Sequence, residues 1–110
     1  GMTSRKADPG GPMGRPEHFS APLWCVADGT WRFVTLPEEM SEVIRFESGP
    51  PRGFGSVRVE VTIGATTWRT SVFPSAGGGP YVLPVKAAVR RAEDLGDGET
   101  VTVTLRTLDN

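Results

Sequence analysis

Residues 67–105 read TWRTSVFPSAGGGPYVLPVKAAVRRAEDLGDGETVTVTL, and this stretch contains the patterns that decide the fold. Residues that favour β-strands stand at both ends of the stretch, and glycine and proline break it into segments. Between the strands, apolar residues recur with the spacing of a helix. The predicted elements are, in order, a strand at Thr67–Phe73, a loop at Pro74–Pro80, a strand at Tyr81–Leu83, a helix at Val85–Asp94, a Gly96-Asp97-Gly98 turn and a strand at Thr100–Leu105.

The helix is predicted from the spacing of its apolar residues, which recur every three or four positions and so share one face. Pro84 suits the first helical position, where its missing N–H is not needed. Gly96 and Gly98 suit the exit, where a positive φ is often required. The residues of the apolar face are Val85, Ala88, Val89 and Ala92.

The residues before this stretch predict a similar set of elements. In the strand Phe19–Ala27, alternation places Cys25 on the same core-facing side as Phe19 and Leu23. The other expected elements are a hairpin turn at Asp28-Gly29, a return strand at Trp31–Leu36, a helix from Pro37 to the stop at Ser48-Gly49-Pro50-Pro51, a loop around Phe54, a strand at Ser56–Ile63 and a turn at Gly64-Ala65.

A strand, Leu-Pro, helix, turn, strand unit thus occurs twice in the chain. Leu36-Pro37 stands before the first helix and Leu83-Pro84 before the second, and each helix precedes a Val-x-Val strand. Two interleaved units of this kind would close a small barrel and leave no free strand edge. The predicted fold class is therefore mainly β, a small barrel with two short helices and a duplicated unit.

The chain resembles DUF1905, a bacterial family defined only as a domain of unknown function. The residues that carry the resemblance extend from about Phe19 to Leu108, and it implies a double-split β-barrel. The Leu-Pro–helix–Gly-Asp–strand word is also similar to AbrB-like DNA-binding regulators, in which two subunits each donate such a unit. The matching words are Trp31–Pro37, Gly53–Val57, Trp68–Pro74, Tyr81–Lys86, Ala88–Ala92 and Gly96–Gly98.

Composition limits the organisation of the chain and its classes of partner. A length of 110 residues fits one domain, expected at residues 18–110. Residues 1–17 are rich in Gly, Pro and charge and predict a disordered leader, in which Gly1 resembles a tag scar.

A net charge of −1 does not favour nucleic acid as a partner, and a single cysteine excludes an intrachain disulfide. No apolar run is long enough to span a membrane, so we expect a cytoplasmic protein with no membrane partner.

The glycine loop and its basic neighbours suggest a place for a small anion. Backbone N–H groups of a glycine loop and the start of a helix can bind anions together with nearby cations. A second interpretation is a hairpin loop beside a solvated basic face. Nucleotide hydrolysis is not supported, because the loop lacks the Gly-Lys-Ser/Thr ending of a P-loop. The candidate ligand-binding residues are Arg69, Ser71, Gly77, Gly78, Gly79, Lys86 and Arg90.

Catalytic and metal chemistry have weaker support in the sequence. Ser71 would need a base, and the only histidine is His18, at the edge of the leader. One histidine and one cysteine, Cys25, do not provide a metal-ligand set, and no cofactor is expected. The aromatic residues fit either a stacking platform or core packing, with core the usual role and Phe54 the one most expected to be exposed.

These observations favour a non-catalytic binding or interaction module whose partner is a small anion or another protein. A nucleic-acid-binding protein of AbrB-like type is one alternative. An enzyme of unknown reaction is the other, although the sequence offers no convincing general base.

Deletion of the leader tests the domain boundary. Removing residues through about Glu17 should leave the melting temperature nearly unchanged, because the segment contains almost no apolar residue to bury. Thermal unfolding of the full and shortened chains measures this. A destabilisation well beyond ~1 kcal/mol would show that the leader is docked on the domain.

Overall fold

The computed structural model describes residues 15–26, 29–48 and 55–108. Most of the predicted leader, part of the Asp28-Gly29 turn, the Gly49-Pro50-Pro51 stop and Phe54 lie outside these residues. The elements are β1 (Glu17–Cys25), β2 (Arg32–Thr35), α1 (Glu38–Ser48), β3 (Val57–Ile63), β4 (Thr66–Pro74), a 3₁₀ turn (Ala76–Gly78), β5 (Tyr81–Pro84), α2 (Ala87–Ala92) and β6 (Thr100–Thr107).

The six strands form a closed barrel in the order β1-β2-β5-β4-β3-β6, and every neighbouring pair is antiparallel. This confirms the predicted mainly β fold class. Alternate residues of each strand point inward, and aliphatic side chains fill the interior. The most completely buried are Leu23, Val34, Leu36, Val59, Val61, Val72, Leu83, Val85, Val89, Val101, Val103 and Leu105.

The strand order shows that the predicted duplication is an internal pseudo-twofold. Exchanging β1 with β4, β2 with β5 and β3 with β6 gives the same ring of neighbours. If Leu36 is equivalent to Leu83, then Thr35 is equivalent to Val82, and these two residues pair with each other where β2 meets β5. The pseudo-axis therefore passes between β2 and β5.

The strand register between β3 and β6, on the other side of the barrel, also pairs equivalent residues of the two units. The two Val-x-Val words make Val61 equivalent to Leu105, and these two residues pair directly between β3 and β6. Val57 pairs with Val72 on β4, and its equivalent Val101 pairs with Ala21 on β1. The hydrogen-bond ladders are thus duplicated along with the sequence words.

The two helices cover opposite ends of the barrel. α1 lies at the end where β5 begins, because its buried Ser41 hydroxyl accepts a hydrogen bond of 3.0 Å from the Tyr81 N–H. α2 lies at the other end, where Val89 is buried and the Thr66 hydroxyl donates to Glu93 over 2.6 Å. The Glu93 carboxylate packs so closely on Gly64, which has φ 59°, that a Cβ there would collide with it.

Two details of the prediction are wrong. α2 begins at Ala87 rather than Val85, because the Val85 N–H still bonds to the Arg32 carbonyl and keeps the backbone extended beyond Pro84. It ends at Ala92, before Asp94 adopts φ 55°. Cys25 is exposed instead of buried, because the aliphatic core ends at Leu23 and the last residue of β1 lies on the rim.

Truncating the paired core leucines tests the duplication. Leu36→Ala and Leu83→Ala should each lower the free energy of unfolding by roughly 2–5 kcal/mol, because both side chains are almost completely buried at equivalent positions. Urea denaturation measures the loss. Val43→Ala is the control, since Val43 is 51% exposed on α1 and its truncation should cost less than about 0.5 kcal/mol. A near-neutral result at one leucine would contradict the equivalence.

Candidate binding surfaces

The glycine loop connects β4 to β5 at the barrel end covered by α1. The Ser75 N–H donates to the Pro80 carbonyl over 3.1 Å and closes the base of the loop. Gly77 and Gly78 have φ of 73° and 76°, which favours glycine even though a Cβ there would meet open space. The loop conformation therefore depends on its glycines, as the sequence indicated.

A cation from α1 binds this loop through its carbonyl groups. Arg45 Nη2 donates to the Gly79 carbonyl over 2.9 Å, and the guanidinium lies 5.4 Å from the centroid of the Tyr81 ring. The sequence analysis missed Arg45, because nothing in the sequence shows which loop a helix residue will reach. This side of the loop thus presents acceptors that a cation already occupies.

Lys86 and Arg90 lie at the far end of β5 from the loop. Lys86 is exposed immediately before α2, and Arg90 Nε donates to the Val85 carbonyl over 3.0 Å. α2 has only 6 residues, so it contributes a small helix dipole. The structure therefore separates the loop glycines from Lys86 and Arg90, and an anion site formed by all of them stays a prediction without a supporting contact.

The other two candidate residues, Arg69 and Ser71, point outward from β4 into a cluster of charges. Arg106 on β6 donates to Glu60 Oε1 on β3 from Nε and Nη2, over 3.0 and 2.8 Å. Arg69 Nε lies 3.5 Å from Glu60 Oε2, and Arg58 is the neighbour of Ser71 across the β3–β4 ladder. We call Arg58, Arg69 and Arg106 the arginine cluster; Arg69 and Arg106 pair with one carboxylate, and Arg58 lies on the same outward face of β3 as Glu60.

Arg106 and Arg69 lower the pKa of Glu60. Hydrogen bonds from Arg106 are the largest cause of a lowered pKa at Glu60, and Arg69 acts in the same direction. Partial burial raises the pKa of Glu60 and offsets part of this effect. The cluster thus holds Glu60 ionised and still carries an excess of positive charge on the outer wall.

A second surface consists of aromatic rings that the core interpretation had placed inside. That interpretation holds for Tyr81, which is 4% exposed, but it is wrong for Trp31, Phe73 and Trp24, which are 62%, 38% and 37% exposed. The residues next to these rings along the strands, Leu23, Val34 and Val72, are buried in the core, so the rings of Trp24, Phe33 and Phe73 point away from the barrel. The face of each strand decides which rings are exposed, and strand register, which no local pattern specifies, decides which of them meet.

The rings of Trp24 on β1, Phe33 on β2 and Trp31 just before β2 are packed against one another. The centroid of Phe33 lies 5.0 Å from that of Trp24 and 6.3 Å from that of Trp31, with the Trp31 ring stacked at an interplanar angle of 16°. Trp24 Nε1 donates to the Thr35 hydroxyl over 2.8 Å and so fixes its ring. The orientation of the cluster is therefore set before any partner arrives.

Apolar residues continue from these rings across two more strands. Phe33 pairs with Pro84 on β5, and Val82 on β5 pairs with Phe73 on β4. All of these residues point outward, because the residues that alternate with them fill the core. We call Trp24, Trp31, Phe33, Val82 and Phe73 the aromatic face.

Ser71 and His18, the residues considered for catalysis, lie on strands that are not neighbours. His18 Nδ1 lies 2.9 Å from the Thr104 hydroxyl on the outer wall of β1 and β6. Ser71 lies on β4, which β6 and β3 separate from β1. Within the described residues, no group of three or more His, Cys, Asp or Glu could hold a metal ion. In the same part of the chain, no helix is long and apolar enough to cross a membrane.

Comparison with known families identifies the chain. Residues 19–105 match the family described as "Domain of unknown function (DUF1905)". The chain belongs to DUF1905. The match begins within β1, ends within β6 and includes every element between them, which confirms the resemblance to DUF1905 found in the sequence. No curated protein matches this DUF1905 chain.

The lowered pKa of Glu60 predicts how its contribution depends on pH. Glu60→Gln should destabilise the protein at neutral pH, where the ionised carboxylate bonds to Arg106 and Arg69. A folded-state pKa below the unfolded one gives stability that is present above the unfolded pKa, about 4.3, and is lost as pH falls through the folded value. The deficit of the variant should therefore shrink in acid.

Denaturant unfolding of wild type and variant at pH 7 and at pH values below the ordinary glutamate range measures this deficit. Glu39→Gln on the exposed side of α1 is the control, and it should change stability little at either pH. A deficit for Glu60→Gln that stays constant across the pH range would show that the ion pairs do not stabilise the fold.

Proposed function

We propose that this protein is a non-catalytic binding module, expected in the bacterial cytoplasm, and that the aromatic face is its recognition surface. The observation that carries the proposal is the cluster of Trp24, Trp31 and Phe33, whose rings are fixed against one another on the outside of a filled barrel. These rings are not needed to complete the core. Their placement is explained by a partner that covers them.

The free-energy cost of exposing apolar surface to water supports this interpretation. Contiguous exposed apolar patches are uncommon on monomeric proteins and mark interaction sites. Covering apolar surface returns about 25 cal/mol per Å², and large aromatic side chains dominate binding energies at interfaces. Because the Trp24 ring is already held by Thr35, little ordering entropy would be lost on binding.

Closure of the barrel limits how a partner can bind. Every strand has two neighbours, so an extended peptide could add only where a ladder is short, as along β4, of which β5 pairs with Phe73 and Pro74 alone. Elsewhere on the barrel, recognition uses side chains on the outer wall or at the ends. The aromatic face is the part of the outer wall with the largest exposed rings on neighbouring strands.

Nucleic acid is the second candidate partner, and the arginine cluster favours it. Three guanidinium groups with one carboxylate give the outer wall of β3, β4 and β6 a local positive charge. Guanidinium groups pair well with phosphate. A small anion would use the same chemistry, but the aromatic face would then have no part in binding.

An NMR titration with defined probes tests the binding surface. A proline-rich peptide and a thymidine dodecamer are titrated separately against backbone amides of the ¹⁵N-labelled protein. At least one probe should shift amides of Trp24, Trp31 and Phe33. Shifts confined to other surfaces, or none with either probe, would overturn the proposal.

A pair of variants supplies the matched control. Trp31→Ala should abolish the shifts and leave the melting temperature nearly unchanged, because its ring is 62% exposed. Phe46→Ala removes a ring that is 87% exposed on α1, which contributes no residue to the aromatic face. It should leave both binding and stability intact, and equal losses of binding in the two variants would contradict a specific surface.

A further inference from the structure

We infer that the aromatic face and the arginine cluster form one continuous surface for single-stranded nucleic acid, and this inference rests on the proposed function. In this arrangement bases stack on the exposed rings and phosphates lie against the arginines. The two surfaces meet on β4, where Phe73, Ser71 and Arg69 follow one another on the outward face.

The strand pairing connects the two surfaces without a gap. Phe33 on β2 pairs with Pro84 on β5, and Val82, the next outward residue of β5, pairs with Phe73 on β4. The next outward residue of β4, Ser71, lies opposite Arg58 on β3. Neighbouring strands are about 4.8 Å apart, so the path from β2 to β3 crosses about 14 Å of wall, enough for a few nucleotides.

Both chemical requirements for single-strand binding occur along this path. Proteins that bind single strands combine aromatic platforms for the bases with cations that follow the backbone. Trp31 and Trp24 supply platforms at one end of the path, and Phe73 lies next to the arginines at the other. Arg58 is exposed and takes part in none of the ion pairs between described residues, so its guanidinium can pair with phosphate.

The net charge of −1 does not favour nucleic acid, but the charges are distributed unevenly over the protein surface. Acidic residues concentrate in α1 and around the end of α2, which cover the two ends of the barrel. The wall of β3, β4 and β6 instead carries the arginine cluster around Glu60. A phosphate backbone on this wall meets local positive charge, although the whole protein is slightly acidic.

The shape of the surface favours a single strand over a duplex. Trp31 and Phe73 project from the convex outside of a barrel, where they can reach only bases whose faces are open. In a duplex the base faces are already stacked on one another. The rings would then contribute nothing, and only the arginines would bind.

Fluorescence anisotropy of a labelled thymidine dodecamer, measured at several salt concentrations, tests the inference. Wild type should bind, and Trp31→Ala and Phe73→Ala should each weaken binding by roughly tenfold. Arg58→Ala should weaken binding and reduce the slope of log K against log salt by about 0.7, as expected for the loss of one phosphate contact to a single strand. Phe46→Ala and Arg91→Ala are the exposed controls and should bind like wild type.

The outcomes separate this inference from the proposed function. Absence of dodecamer binding at low salt, tighter binding to the matching duplex, or unchanged affinity in both aromatic variants would overturn the inference. If the proline-rich peptide shifts the aromatic face by NMR and the dodecamer does not, the binding module stands and its partner is a protein. If neither probe shifts the face, both proposals fall.

Discussion

The ladders that join the two halves of the chain hold this barrel together. The first half comprises β1, β2, α1 and β3, and the second comprises β4, β5, α2 and β6. Within each half only one pair of strands is joined, β1 with β2 and β4 with β5. All other pairings, β2–β5, β3–β6, β3–β4 and β1–β6, connect one half to the other. An isolated hairpin is marginal in water, so neither half has a stable fold of its own. The core, the ends and the outer wall all depend on this interleaving.

The two halves share their inward residues but differ in their outward residues. Inward positions are alike in the two halves, because the same cavity must be filled from both sides of the pseudo-axis: Val59 corresponds to Val103 and Leu36 to Leu83. Outward positions differ. The Glu60–Arg69 pair corresponds to Thr104 and His18, which are also within hydrogen-bond distance but carry no comparable charge cluster. The candidate binding surfaces lie where the duplication has diverged.

The candidate site was predicted only in part. Arg69 and Ser71 do lie on a cationic surface, but the sequence grouped them with the glycine loop and Lys86 because these residues are close along the chain. β5 carries the chain from one end of the barrel to the other between the loop and Lys86. Glu60, which pairs with Arg69, and Arg106, which pairs with Glu60, come from other strands that the ladders bring beside β4. Arg45 was missed for the same reason. Trp24 and Trp31 were considered both as a stacking platform and as core, and the structure exposes them.

The sequence by itself determined the fold class, the order of the elements and the duplication, because alternation, helical spacing, Leu-Pro words and glycine turns are local or repeated patterns. It also determined most of the core, such as Val57, Val59 and Val61, since strict alternation identifies the buried face of a strand. Only the tertiary structure decided where the barrel core ends, which exposed Cys25, and where α2 begins, because the β2–β5 ladder keeps Val85 extended. It alone decided which rings and charges meet on the outer wall, because barrel closure and register join residues that no local pattern connects.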